Sequence, residues 1–231
     1  MAERSGEPRG TCSWVGVEVW GMPVITIGRM YGSGGETVGA MVAERLGAEL
    51  VDSKIFDEVV RRLELPPDEV QQYEERPGSI LNRLIQALGS ASTEFTTASE
   101  AAWTPPFAEQ AVDTHDAVLH ITQEVIREAA RTGNAVVVGR GAAFLLREHP
   151  DALHVFLRGS REARIAAVRE AFGLSEEVAA RRLKEVDANR RAYIRQVYGH
   201  DWLDPSHYDL VVDTGRLGYE RAARLIVAAV R

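Results

Sequence analysis

Cysteine and lysine are the scarce residues of this chain. A single cysteine, Cys12, among 231 residues excludes an internal disulfide and suits a reducing compartment. Of the 27 basic side chains only Lys54 and Lys184 are lysines; the others are arginines. Any phosphate site must therefore take its cations from arginine, from one of those two lysines, or from main-chain amides. No apolar run approaches the ~20 residues needed to span a bilayer. The first twenty residues mix charges, glycine and tryptophan without an apolar core, which is not the pattern of a signal peptide. A cytoplasmic location with no membrane partner is expected. The formal charge of −7 offers no broad electrostatic footprint for nucleic acid.

What is present begins with Val24-Ile25-Thr26-Ile27, a β-type run that enters the glycine-rich turn Gly28-Arg29-Met30-Tyr31-Gly32-Ser33-Gly34-Gly35. Val38, Met41, Val42 and Leu46 then recur at helical spacing, and Gly47 supplies a stop. A strand, a glycine loop and a helix in that order aim backbone N–H groups at one point, where the helix N-terminus adds partial positive charge. That is a phosphate cradle over Gly32, Ser33, Gly34, Gly35, Glu36 and Thr37. A plain tight βα turn is the alternative. The run departs from the phosphate-loop pattern G-x-x-x-x-G-K-[ST], because Gly35 stands in the lysine slot and Glu36 follows it.

Downstream, 49–52 reads as a second strand and Ser53 as the cap of a helix carrying Ile55, Phe56, Val59, Val60 and Leu63. Pro66 and Pro67 break it, and two further helices are expected over 67–88. Residues 89–106, rich in Ser, Thr and Ala, read as a loop over a site or as a spacer. A long helix follows, then the buried strand 135–138, a short helix over 142–147, a strand over 153–157, helices capped by Ser160 and Ser175, a strand over 208–213 and a closing helix. Strands alternating with helices predict a parallel sheet covered on both faces, with ligands beyond the strands' carboxyl ends. Residues 1–22 are expected to form a poorly ordered extension, with Trp14 and Trp20 in an edge hairpin as the alternative. Residues 23–231 are expected to form the domain, with 54–109 a divergent helical insertion.

Three segments carry a resemblance. ITIGRMYGSGGETVG with AERLGAELVDS, then VVVGRGAAFLLREHPDALHVFLRGSREAR, then VDANRRAYIRQVYGHDWLDPSHYDLVVDTGRLGYERAARLI together resemble the cytidylate kinase-like branch of the phosphate-loop nucleoside monophosphate kinases. The resemblance implies a P-loop NTPase-type three-layer sandwich: a five-stranded parallel sheet with helices on both faces, an acceptor-side helical insertion, and lid-like helices over 174–200. It also implies ATP and Mg²⁺ as cofactors and CMP or dCMP as the first acceptor candidates. Arg140 matches the family's monophosphate-binding arginine, a surface salt bridge being the alternative. Asp52 and Ser53 match its acceptor-side D-S, although Ser53 serves equally as a helix cap. Asp187 and Arg190 match the lid D-x-x-R, and at i and i+3 they share a helix face.

Phosphoryl transfer is mostly positioning and charge neutralisation, so the missing lysine needs a substitute. Arg29 is the preferred replacement and Lys184 the second. Thr37 supplies the hydroxyl for the metal; Glu36 is either a metal ligand or a first-turn acid that favours the helix dipole. The family's GRD reads Gly139-Arg140-Gly141 here, which leaves an acceptor other than CMP open. A catalytically weak nucleotide sensor and a kinase for another small acceptor are the competing readings.

Overall fold

The computed structural model describes residues 23–62 and 108–230. Its strands β1 (Val24–Arg29), β2 (Glu49–Leu50), β3 (Ala135–Val138), β4 (Ala152–Arg158) and β5 (Leu210–Asp213) form one 5-stranded, all-parallel sheet in the order β2-β3-β1-β4-β5. Between and after them run helices α1 (Gly35–Leu46), α2 (Asp52–Arg62), α3 (Ala108–Thr132), α4 (Ala142–Leu145), α5 (Arg161–Phe172), α6 (Glu176–Tyr198), α7 (Thr214–Leu217) and α8 (Tyr219–Val230).

The period of two along each strand sorts its side chains between two cores. Ile25 and Ile27 join Val136, Val138, Val155, Leu157 and Val212 beneath α1 and α8, whose Val38, Val42, Ala222 and Ile226 are fully buried. Val24, Ala135 and Val137 face the other way, onto Ile55 and Val59 of α2 and Val118, Val125 and Ile126 of α3. The result is the three-layer arrangement expected of strands alternating with helices. Helix α1 lies very close to the sheet: a Cβ on Gly39 would sit 2.5 Å from Val138 Cγ2. This contact fixes how the loop preceding α1 stands over the strand ends.

Central β1 pairs with β3 on one side and β4 on the other, so the direction of winding reverses beside it. Crevices at such reversals are where open α/β sheets bind ligands. The loop leaving β1 and the turn leaving β3 meet there, tied by the Gly139 N–H to the Ile27 carbonyl at 2.9 Å.

Local punctuation agrees with the residue types. Gly47 closes α1 in the left-handed conformation at φ 60°. The Ser160 and Ser175 side chains accept the N–H groups of Ala163 and Val178 at the starts of α5 and α6. Strand β2 is shorter than the sequence suggests, and α2 begins at Asp52, one residue before the expected cap. The lid-like segment is one continuous helix, α6, and α7 is an extra turn absent from the sequence reading. The extension 1–22 lies outside the described residues, as do the two helices expected over 67–88 and the segment 89–106.

His154 on β4 is buried and bonded through Nδ1 to the Thr26 hydroxyl at 2.7 Å. Burial pushes its pKa down, against the opposing pull of Asp209. With the folded value below the unfolded one of about 6.5, the unfolded chain takes up the proton first on acidification. The stability His154 confers is thus present above that pH and is lost as pH falls toward the folded value. The urea midpoint should drop between pH 7 and pH 5, and His154→Gln should flatten the drop. An equal decline in both proteins would assign the acid sensitivity elsewhere.

Candidate active site

The glycine loop between β1 and α1 is held by its carbonyl groups. The Arg29 carbonyl accepts from Arg190 Nη1 at 3.0 Å. The Met30 carbonyl accepts from the Ser33 hydroxyl at 2.7 Å, and the Tyr31 carbonyl from Arg164 Nη1 at 3.1 Å. The Ser33 carbonyl accepts from the Thr214 hydroxyl at 2.9 Å, and the Gly34 carbonyl from the Val38 N–H at 2.9 Å. In a planar trans peptide the C=O of one residue and the N–H of the next point in opposite directions. The outward carbonyls of Tyr31, Ser33 and Gly34 therefore turn the following amides inward, whereas the Met30 and Tyr31 N–H groups bond the Leu157 carbonyl and Asp187. The N–H groups of Gly32, Gly34 and Gly35 oppose these carbonyls and have no acceptor among the described residues, as is true of Thr37 in the first turn of α1. Gly32 and Gly34 adopt φ 75° and 74°, and a Cβ on Gly34 would fall 2.4 Å from the Tyr219 ring. Both a left-handed backbone and the close ring demand glycine there.

The lysine slot is closed by sterics as well as by sequence. A Cβ on Gly35 would lie 2.5 Å from Arg29 Cγ and 3.0 Å from its Cδ. Counted back from Gly34, Arg29 stands where the G-x-x-x-x-G-K pattern has its first glycine. The chain thus exchanges a glycine and a cation between two positions of the loop, and the arginine stem fills the room the lysine would use. Arg29 is 2% exposed and its Nη2 donates to Glu36 Oε1 at 3.0 Å. Lys184, by contrast, is exposed on α6, next to the buried stripe Ala179, Leu183, Arg190 and Ile194 rather than on it.

Asp187 lies on that stripe and reaches the loop. Its Oδ1 accepts the Tyr31 N–H at 2.8 Å and its Oδ2 the Arg164 Nη1 at 2.6 Å. The sequence paired Asp187 with Arg190, and the structure brings both against the loop. Thr214 was not singled out from sequence, and nothing there separates Arg164 from Arg161 after the same strand. Their signal is positional: Arg164 follows the carboxyl end of β4, which flanks β1, and Thr214 that of β5, which flanks β4.

On the neighbouring turn, Gly139, Arg140 and Gly141 have φ of 77°, 57° and 71°. A left-handed conformation at arginine costs on the order of 1–3 kcal/mol and persists only where its surroundings enforce it. Arg140 is buried and bonds Asp52 Oδ1 through Nη2 at 2.9 Å and Nε at 3.3 Å. Gly141 has no room for a side chain, because a Cβ would stand 2.3 Å from Tyr198 Cε2. The Tyr198 hydroxyl donates to the Arg140 carbonyl at 3.4 Å. Arg29, Arg140 and Arg190 line one cavity of about 30 Å³ together with Phe144, Tyr193 and Trp202. That volume admits about one or two waters. Burial raises the phenols of Tyr193, Tyr198 and Tyr208, so this wall offers neutral hydrogen-bonding groups. The side chain of Ser53 lies outside the described residues. No cluster of three metal-ligating side chains occurs among the described residues; Glu36 and exposed Thr37 are the oxygen-bearing side chains in the first turn of α1.

Fold and loop define an α/β protein of the P-loop NTPase type. Residues 24–216 match the cytidylate kinase-like family, and the chain belongs to it. It is 31% identical over 215 residues to the cytidylate kinase of Methanopyrus kandleri, covering 90% of this chain and 92% of that one. Identity is 25% with the cytidylate kinase of Methanocaldococcus jannaschii, over 90% and 97% of the two chains. Among solved structures, an uncharacterized protein from Eubacterium ventriosum shares the fold with a TM-score of 0.63 at 22% identity, over 90% of this chain and 98% of that one.

The exchange of glycine and arginine has a direct test. Gly35→Ala should lower stability to urea by about 1–3 kcal/mol, the usual cost of overpacking. On the Arg29→Ala background the same Gly35→Ala change should cost little, because the arginine stem it would strike is gone. Additive losses would show that the two positions do not share this space.

Proposed function

We propose that this protein transfers a phosphoryl group from ATP to a nucleoside monophosphate, CMP and dCMP being the first candidates. The observation that carries this reading is the set of inward amides at Gly32, Gly34, Gly35 and Thr37, opposed by pinned carbonyls at the N-terminus of a 12-residue helix. Main-chain donors arranged in that way suit polyphosphate oxygens, and the helix end adds partial positive charge. Arg29 takes the electrostatic part of the absent lysine, since it is buried at the base of the loop with its charge compensated by Glu36. Arginine suits the task because its planar fork matches phosphate geometry.

Arg140 receives the acceptor phosphate, exchanging its bond to Asp52 for one to the ligand. An acceptor phosphate is already anionic, so orientation suffices without a general base. Arg190 closes the wall between the two sites. Helix α6 contributes Arg190, Tyr193 and Ile194 to the wall beside Arg140, so movement of α6 would change the space open to the acceptor. Mg²⁺, held by Thr37 and Glu36 directly or through water, would neutralise charge on the phosphate oxygens. The partners are small nucleotides; among the described residues no helix is long and apolar enough to cross a membrane.

The closed space beside Gly141 favours a second reading, in which the same chemistry serves a different small acceptor. A coupled assay of ATP consumption with CMP, dCMP, UMP, AMP and GMP separates the two. Turnover with one monophosphate is the expected result. ATP consumption that none of the five stimulates would support the second reading, and tight ATP binding without turnover would make the protein a sensor.

Arg29→Ala should lower kcat/KM for ATP by about 10- to 150-fold, the value of one charge-assisted hydrogen bond of about 1.5–3 kcal/mol. Lys184→Ala should stay within about twofold. Equal rates in both variants would remove Arg29 from the donor site.

A further inference from the structure

The backbone of Tyr31 is gripped at its N–H and at its C=O by one ion pair. Its N–H meets Asp187 Oδ1 at 2.8 Å and its C=O meets Arg164 Nη1 at 3.1 Å, while Arg164 Nη1 and Asp187 Oδ2 are 2.6 Å apart. The three groups close a ring of hydrogen bonds across residues that are 23, 133 and 156 positions apart in sequence. The pair is largely withdrawn from water, with side-chain exposures of 10% and 17%. Both charged groups are committed to the loop and to each other.

From this geometry we infer that Asp187 and Arg164 are positioning residues for the donor loop. They hold the Tyr31 peptide so that the next amide, Gly32 N–H, faces the phosphate position before nucleotide arrives. The inference rests on the loop being the donor-phosphate site proposed above. It gives Asp187 a role distinct from contact with a ligand: its carboxylate acts through the main chain. A carboxylate suits the place because a single group accepts the amide with one oxygen and fixes the arginine with the other. Arg164 Nη1 carries two N–H groups that point apart, and it serves both the carboxylate and the carbonyl. Gly32 is glycine for a related reason. A Cβ there would come within 2.8 Å of the Arg164 carbonyl, so α5 presses directly on the loop it helps to orient.

The test uses the full chain and two independent readouts. The first is amide hydrogen exchange at Tyr31 and Gly32 without nucleotide. The second is the pair of KM values, for ATP and for the monophosphate found active in the assay, together with ATP affinity by calorimetry. Asp187→Ala should accelerate exchange of the Tyr31 amide at least about tenfold and weaken ATP binding by about 10- to 100-fold. The KM of the acceptor should stay within about twofold. Asp187→Asn keeps an oxygen for the Tyr31 N–H but sets an NH₂ group against Arg164, so it should fall between alanine and the native protein. Should the alanine variant fail to fold, Asp187→Asn and Arg164→Gln carry the same measurements. Unchanged exchange at Tyr31, or a raised acceptor KM with ATP binding intact, would overturn the inference and put Asp187 on the acceptor. A native protein that binds no ATP would defeat the proposed function instead, and the exchange rates would still decide the clamp.

Discussion

Everything at the head of the sheet depends on where five carbonyl oxygens point. A glycine-rich loop has many backbone conformations available, and only those with the oxygens turned out leave the amides turned in. The donors that enforce this come from the loop itself, from α1, α5 and α6, and from the start of α7. Thr214 lies 181 residues from its partner Ser33, and Arg190 lies 161 from Arg29. The sheet order is what makes such pairs neighbours, because β4 flanks β1 and β5 flanks β4. Without the complete parallel sheet the loop would have its sequence but not its shape.

Burying four arginines around one crevice carries a thermodynamic cost. Arg29, Arg190, Arg140 and Arg164 are 2%, 3%, 8% and 8% exposed. A charge removed from water must be matched by partners of good geometry, and even matched pairs add little net stability. Glu36, Asp52 and Asp187 supply those partners to Arg29, Arg140 and Arg164 at 3.0, 2.9 and 2.6 Å, while Arg190 donates to the Arg29 carbonyl at 3.0 Å. Removing one member of such a pair is far more damaging than never having built it. The arrangement favours charge held in place over maximal stability, which is what the proposed anion site demands.

Much of the architecture was legible in the sequence, because the signals were periodic or punctuating. The run Ala135-Val136-Val137-Val138 could only be a buried strand, and Ser160, Ser175 and Gly47 marked helix ends through hydrogen bonding or a left-handed backbone. The glycine loop between β1 and α1 was legible for the same reason, as was the helix face that Asp187 shares with Arg190. What stayed hidden depends on contacts between distant segments. Nothing in the sequence near Arg164 distinguishes it from the exposed Arg161, since only packing of α5 on the loop buries one and not the other. The departure at Gly141 was visible as a missing carboxylate. Its cause, the Tyr198 ring 57 residues away, was not. Arg29 was a candidate because cations were scarce, but the steric reason for Gly35 required the arginine stem to be seen lying against it.

The exchange of an ammonium for a guanidinium at the loop also changes its chemical vulnerability. Guanidinium stays protonated at every pH a cell can reach, and it is a poor nucleophile. A lysine in the same place is open to acetylation, which erases its charge. Arg29 offers acetylating metabolites no amine to attack, so the loop's positive charge is beyond the reach of that form of cellular control.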